Sequence, residues 1–289
     1  MNGAQCFGGG LLLGALVATA VDGTLSPSPQ MSSKPVIEQR QEPVLVDDPL
    51  QVFLTEEQAE AVYPSLRVYA DGFTQRDITA LRDPFSVSDV GPVSEANLCH
   101  YDTFVGKQTL TEGTCFFIAP HLALTSYHVA TIKDPDSFSE FYELTHKVRT
   151  SNGKTSSVET LAVSPLHDLA LVKTEKAFPV SSLSLGYYDG GLSSLLLSFD
   201  EETDTLHRYT STSHLAFEQR FVLLENGTLG PSALVLPELY SPGNSGSPLF
   251  QDGRLVGLVS YVDERDKKTF VSSHVRKFVS EILKTLVSK

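Results

Sequence analysis

Short β-rich runs broken by turn residues, one hairpin signature near residue 250 and one amphipathic stretch at the C-terminal end predict an all-β fold. The expected form is a barrel or sandwich carrying a terminal helix. After Cys99, five runs have the β-branched and aromatic composition of strands: Thr114–Ile118, His121–Thr125, Leu169–Lys173, Leu192–Phe199 and Arg220–Leu224. The hairpin is the strongest local signal. Pro248–Phe250 and Leu255–Tyr261 are apolar arms around Gln251-Asp252-Gly253-Arg254, and Asp-Gly tolerates the positive φ angles of a two-residue turn. In His274–Val287, residues Val275, Phe278, Val279, Ile282, Leu283 and Leu286 recur at helical spacing, which makes one apolar face.

Upstream of Cys99 the texture differs. Leu11–Val21 (LLLGALVATAV) is too short for a membrane span of about 20 residues, and it ends in Ala18-Thr19-Ala20, a small-x-small pattern suited to signal peptidase. The expectation is a leader over residues 1–20, or an N-terminal anchor, although no Lys or Arg precedes Lys34. Residues 21–95 read as a linker or pro-segment. The part from Asp22 to about Leu50 is rich in Pro, Ser and Gln without a sustained apolar period. Thr55-Glu56-Glu57-Gln58 has capping-box spacing ahead of Ala59, Ala61 and Val62, the start of a short helix. From there to Asn97 the pattern assigns no element. The folded domain is expected over residues 96–289.

Bulk properties exclude some classes. A chain of 289 residues with 41% hydrophobic and 20% charged residues is globular in composition. Its net charge of −13 lacks the basic footprint that a phosphate backbone requires, so no nucleic-acid partner is expected. With the leader removed, no stable membrane insertion is expected, and the location is secreted or extracytoplasmic. Composition leaves the oligomeric state open. Asn226-Gly227-Thr228 is a glycosylation acceptor if the route is eukaryotic. Of three cysteines, Cys6 leaves with the leader. Cys99 and Cys115 are then either a disulfide or two separate buried thiols. No metal-ligand spacing occurs among the eight histidines, and no cofactor is called for.

The chemistry-bearing stretch is SPGNSGSPLF, residues 241–250. Ser245 stands between Gly243 and Gly246 in a tight loop that leads into the hairpin. Glycine at 243 permits backbone geometry that other residues resist, so the N–H groups of Gly243 and Ser245 are placed to converge on one developing oxyanion. Gly246 would keep the space beside the hydroxyl open to a substrate carbonyl. Ser241 and Ser247 are not framed this way, which makes Ser245 the candidate nucleophile. A serine needs a base. His128 follows the apolar run in LALTSYHVA and sits on the turn beyond it. Asp168, at the mouth of the run His167–Val172, is poised to be buried against a partner and to fix an imidazole tautomer.

Taken together, GTCFFIAPHLALTSYHVA, HDLALVK, SPGNSGSPLF and RLVGLVSY resemble the chymotrypsin-like serine peptidases, in the style of the Deg/HtrA-like and glutamyl-endopeptidase-like branch. The order His, Asp, Ser, with separations 168 − 128 = 40 and 245 − 168 = 77, distinguishes that family from subtilisins and α/β-hydrolases. The resemblance implies two antiparallel six-stranded β-barrels with a C-terminal helix and the site between the barrels. It implies a serine endopeptidase acting on protein or peptide substrates: Ser245 attacks, His128 shuttles the proton, Asp168 orients the imidazole, and Gly243 and Ser245 bind the oxyanion. Ser260 matches the strand residue that pairs with the substrate backbone, and an ungapped count puts Leu239 at the base of the specificity pocket.

The departures from the family are informative. Asn244 stands where the pancreatic branch has an Asp that receives a new N-terminus, and no Ile-Val-Gly-Gly-like sequence occurs upstream of Thr114. Activation by N-terminal insertion is therefore not expected, although trimming residues 21 to about 90 would still regulate access. Val129 replaces the cysteine found beside the histidine in many relatives. Three other readings compete for the same residues. A catalytically latent homologue would serve as a binding or adaptor protein. An α/β-hydrolase would need G-x-S-x-G, whereas Gly246 follows the serine directly. A Deg-type quality-control protease would add peptide-binding modules beyond the helix.

Overall fold

The computed structural model describes residues 52–54, 65–86, 92–131, 144–199, 205–211, 216–218, 221–223, 229–230, 233–236, 243–263 and 268–288. The expected leader, the segment to residue 50, the helix after Thr55, and the positions Ser241, Asn226 and Leu239 lie outside them.

Two β-layers carry the molecule. Strand β1 (Val52–Leu54) belongs to a small separate sheet, and β2 (Arg67–Val68) edges the first layer. That layer comprises β3 (Leu98–Val105), β4 (Gln108–Ala119), β5 (Leu122–Thr125), β6 (Leu144–Thr150), β7 (Thr155–Ser164) and β8 (Leu169–Thr174). Its order runs β7-β6-β3-β4-β5-β8, and the pairing of β7 with β8 closes it into a six-stranded antiparallel barrel. Closure leaves these strands no free edge. Cys99 and Cys115 are directly opposed in the β3–β4 register, with Cα atoms 4.9 Å apart, and are disulfide-bonded.

The second half adds β9 (Ser184–Leu185), β10 (Ser194–Phe199), β11 (Leu206–Ser211), β12 (Ala216–Glu218), β13 (Phe221–Leu223), β14 (Leu229–Gly230), β15 (Ala233–Leu236), β16 (Pro248–Gln251), β17 (Arg254–Asp263) and β18 (Lys268–Ser272). The path β11-β10-β16-β17-β18-β15-β12 forms a half-barrel, with β9 parallel to the start of β17. Strands β1, β13 and β14 make the small third sheet. The Asp-Gly hairpin joins β16 to β17 as its composition predicts, with φ of 47° at Asp252 and 71° at Gly253.

Apolar alternation accounts for the packing. Phe117, Ala123, Val148 and Val172 fill the first barrel, while Leu196, Leu234, Leu249 and Val271 line the second sheet. A third cluster spans both, where the Phe116 and Phe250 rings meet edge-on at 5.2 Å. Two helices close this cluster: α1 (Gln75–Ser86) through Leu81, and the C-terminal helix (Val275–Val287) through Val275, Phe278, Val279 and Ile282.

Helix α1 lies in the stretch where the sequence pattern assigned nothing. Its start is a reciprocal cap: Thr74 N–H donates to Asp77 Oδ2 at 2.8 Å, and Asp77 N–H to Thr74 Oγ1 at 3.3 Å. Lys173 of β8 donates to the same carboxylate at 2.7 Å and to the Gly72 carbonyl at 3.1 Å. Leu81 is wholly buried, worth roughly 1.5–3 kcal/mol of apolar transfer. Residues 67–86 are thus part of the folded body.

Candidate active site

Three backbone turns bring the candidate residues to one region. The chain leaves β5 at Ser126, and the single turn α2 (Tyr127–Ala130) carries His128. Ser126 Oγ donates to the Val259 carbonyl at 2.7 Å, which ties this turn to β17 of the second half. Asp168 precedes β8 with φ of 50°, a left-handed conformation that Asp and Asn tolerate better than most residues. That twist turns its carboxylate toward α2.

The carboxylate of Asp168 is 1% exposed and meets three donors. His128 backbone N–H donates to Oδ1 at 2.9 Å, and the His128 ring approaches through Nδ1 at 2.9 Å from Oδ2 and 3.1 Å from Oδ1. The Ser260 hydroxyl donates to Oδ2. With Nδ1 carrying the proton toward the carboxylate, Nε2 is left as the basic nitrogen. The His128 side chain keeps 17% of its surface exposed. Burial alone would lower its pKa, but the Asp168 charge and hydrogen bond outweigh it and raise it above the usual 6.5.

Ser245 lies in a turn closed by the Ser247 N–H to the Asn244 carbonyl at 2.9 Å. The first barrel grips the turn through one residue. Thr114 N–H donates to the Ser245 carbonyl at 2.8 Å and Thr114 Oγ1 to the Gly243 carbonyl at 3.0 Å. From the other side Gly246 N–H donates to Val259 O at 2.8 Å. The Ser245 hydroxyl donates to the Ser260 carbonyl at 3.3 Å. Ser260 therefore links Asp168 to Ser245, its side chain on the one and its main chain on the other. Ser247, by contrast, is fully buried with its hydroxyl donated to Ser198 at 3.0 Å, so it offers no free nucleophile.

Gly243 and Gly246 both have φ near 90°. The reason for Gly246 differs from the sequence expectation. A Cβ there would sit 2.0 Å from the Thr114 carbonyl oxygen and 2.6 Å from Thr125 Oγ1. Glycine lets two backbones touch at this point rather than opening room for a substrate. Sequence reading also missed Thr114, Thr125 and Ser126 as supports, although all three stand within the quoted GTCFFIAPHLALTSYHVA motif. The Thr114 and Ser126 hydroxyls bond to main-chain carbonyls far along the chain, the Thr125 hydroxyl to the Thr114 carbonyl of the adjacent strand, and nothing local marks the first two.

Among the described residues no group of His, Cys, Asp and Glu could hold a metal ion, and no helix is long and apolar enough to cross a membrane. A family model described as the trypsin-like peptidase domain matches residues 113–258, just over half of the chain. No curated protein sequence matches the chain. Among solved structures it is similar to Rv3671c from M. tuberculosis H37Rv in a mutant, inactive form, at 16% identity and TM-score 0.46, covering 68% of this chain and 88% of that one. It is also similar to Deg5, at 17% identity and TM-score 0.47, covering 72% and 94%.

Proposed function

The chain belongs to the trypsin-like peptidase domain family, and from that premise we propose that it is a serine endopeptidase working through His128, Asp168 and Ser245. The observation that carries the proposal is the two-point clamp of Asp168 on His128, continued through Ser260 to Ser245. In this mechanism Ser245 Oγ turns from the Ser260 carbonyl toward His128 Nε2 and attacks the scissile carbonyl carbon. His128 accepts the hydroxyl proton and then delivers it to the leaving amine, and water hydrolyses the acyl-enzyme by the reverse sequence. Asp168 holds the tautomer and stabilises the imidazolium. The N–H groups of Gly243 and Ser245, which take no acceptor among the described residues, donate to the tetrahedral oxyanion.

Substrates are proteins or peptides. Ser260 would pair with the substrate backbone and Leu239 would face the pocket base. The raised pKa of His128 sets the working range: the imidazole is a base only above that pKa, so turnover falls on acidification with a midpoint above 6.5. We place the enzyme outside the cytoplasm after leader removal, with any later trimming N-terminal to Arg67, because residues 67–86 are packed into the core.

The hydrogen bond from Ser245 to Ser260, rather than to His128, favours a second reading, a latent homologue that binds proteins without cleaving them. Fluorophosphonate labelling of the chain lacking residues 1–20 separates the two. Covalent labelling that disappears in Ser245→Ala and in His128→Ala supports the peptidase. A folded wild type that stays unlabelled, also after trimming to residue 64, overturns it in favour of the binding protein.

A further inference from the structure

The turn that carries Ser245 is anchored from beneath by a buried chain of neutral hydroxyls. Ser247 Oγ donates to Ser198 Oγ at 3.0 Å, and Ser198 Oγ donates its own proton to Asn244 Oδ1. All three side chains are more than nine-tenths buried: Asn244 is 3% exposed, Ser198 1% and Ser247 0%. Ser198 belongs to β10, the neighbour of β16, so it approaches from the interior of the second sheet. Each hydroxyl has one proton. The Ser198 proton has the Phe199 carbonyl, at 3.4 Å, as a longer second acceptor, and removing Ser198 strips Asn244 of a donor and Ser247 of its acceptor.

The peptide that this chain holds is the one linking Asn244 to Ser245. Its carbonyl is bound by Ser247 N–H at 2.9 Å. In a trans peptide the N–H points opposite to the C=O. The Ser245 N–H is consequently turned away from the buried network, toward the side on which it takes no acceptor among the described residues. The neutral character of the cradle also matters. A carboxylate at 244 would be buried against hydroxyls with no cation among its described partners, a costly placement, whereas an amide fits.

We infer that Ser198 is a positioning residue that, through Asn244, keeps the Ser245 N–H aimed as an oxyanion donor. It supplies from inside the fold an anchor for this turn that needs no inserted N-terminus. The inference rests on the peptidase reading above and extends it to a residue 47 positions from the nucleophile (245 − 198 = 47).

The test compares wild type with Ser198→Ala, Ser198→Thr and Ser247→Ala, using p-nitrophenyl acetate as a small ester and amide NMR of the uniformly 15N-labelled chain. Loss of one oxyanion donor costs about 10²–10³-fold in kcat. Misaiming it in Ser198→Ala should therefore lower kcat by roughly 10- to 100-fold with KM little changed, while the downfield His128–Asp168 proton resonance stays in place. Ser198→Thr, which restores the hydroxyl, should recover most of the rate, and Ser247→Ala should lose less than Ser198→Ala. Equal kcat in wild type and Ser198→Ala would overturn the inference with the peptidase reading intact, as would a loss that Ser198→Thr does not rescue. A wild type with no turnover overturns the peptidase reading instead. In that case the Ser245 amide resonance decides the inference: a shift in Ser198→Ala that Ser198→Thr reverses supports it, and superimposable spectra reject it.

Discussion

Acidification should unfold this protein through His167, the residue immediately before Asp168. Its ring stacks on that of His274, with centroids 4.0 Å apart and planes within 7°, and its Nδ1 is buried with no hydrogen-bond partner among the described residues. Burial, then the neighbouring His274 and Lys277, push its pKa down from 6.5 to about 3. Below pH 6.5 the unfolded chain therefore takes up a proton that the folded chain refuses until about pH 3, so stability present above 6.5 is lost progressively as pH falls. At about 1.4 kcal/mol per pH unit, the window from 6.5 down to about 3 amounts to ~5 kcal/mol, comparable with the total stability of a typical domain.

His167→Phe keeps an aromatic ring in the stack and removes the proton site. Urea unfolding of wild type and variant between pH 7 and 4 should give curves that diverge below 6.5, wild type losing about 1.4 kcal/mol more per pH unit. Asp77 also loses stabilisation in acid. Burial opposes its ionisation, but hydrogen bonds from Lys173 and Thr74 hold its pKa below 3.8; its effect therefore falls at still lower pH and is common to both proteins. Parallel curves from pH 6.5 to 4 would refute the assignment of the acid sensitivity to His167.

Three further outcomes are expected. Asp168→Asn keeps a side chain that tolerates the positive φ, so the fold should survive while kcat on a peptide substrate falls by about 10⁴-fold; the acidic midpoint of kcat/KM should also drop, because the charge that raises His128 is gone. Leu81→Ala should cost about 2–5 kcal/mol in chemical denaturation, and a chain trimmed to residue 90 should fail to fold while one trimmed to residue 64 remains cooperative by thermal melting. Gly246→Ala should lower the melting temperature and abolish fluorophosphonate labelling together, since its Cβ would collide with the Thr114 carbonyl at 2.0 Å.

Local chemistry made much of this protein legible before any coordinates. The Asp252-Gly253 turn, the strands around Phe117, Leu171 and Leu197, and the period of the C-terminal helix are all written in residues near one another in the chain. The three candidate residues that the structure brings to one region also stand in local frames: the glycines around Ser245, the apolar run before His128 and the one after Asp168. Helix α1 was overlooked although Thr74-Gln75-Arg76-Asp77 has the spacing of a reciprocal cap. Its apolar side is short, and Pro84 interrupts its last turn.

What only the tertiary structure decided are the contacts between residues distant in sequence. Ser260 bonds to Asp168 across 92 positions, Ser126 to Val259 across 133, and Thr114 to Gly243 across 129. Closure of the first barrel by β7 on β8, and the half-barrel form of the second sheet, belong to the same class. A hydroxyl that will cap a distant carboxylate has the same local sequence as one that will face water. Its role comes into being when the two halves pack and remove its alternatives for hydrogen bonding.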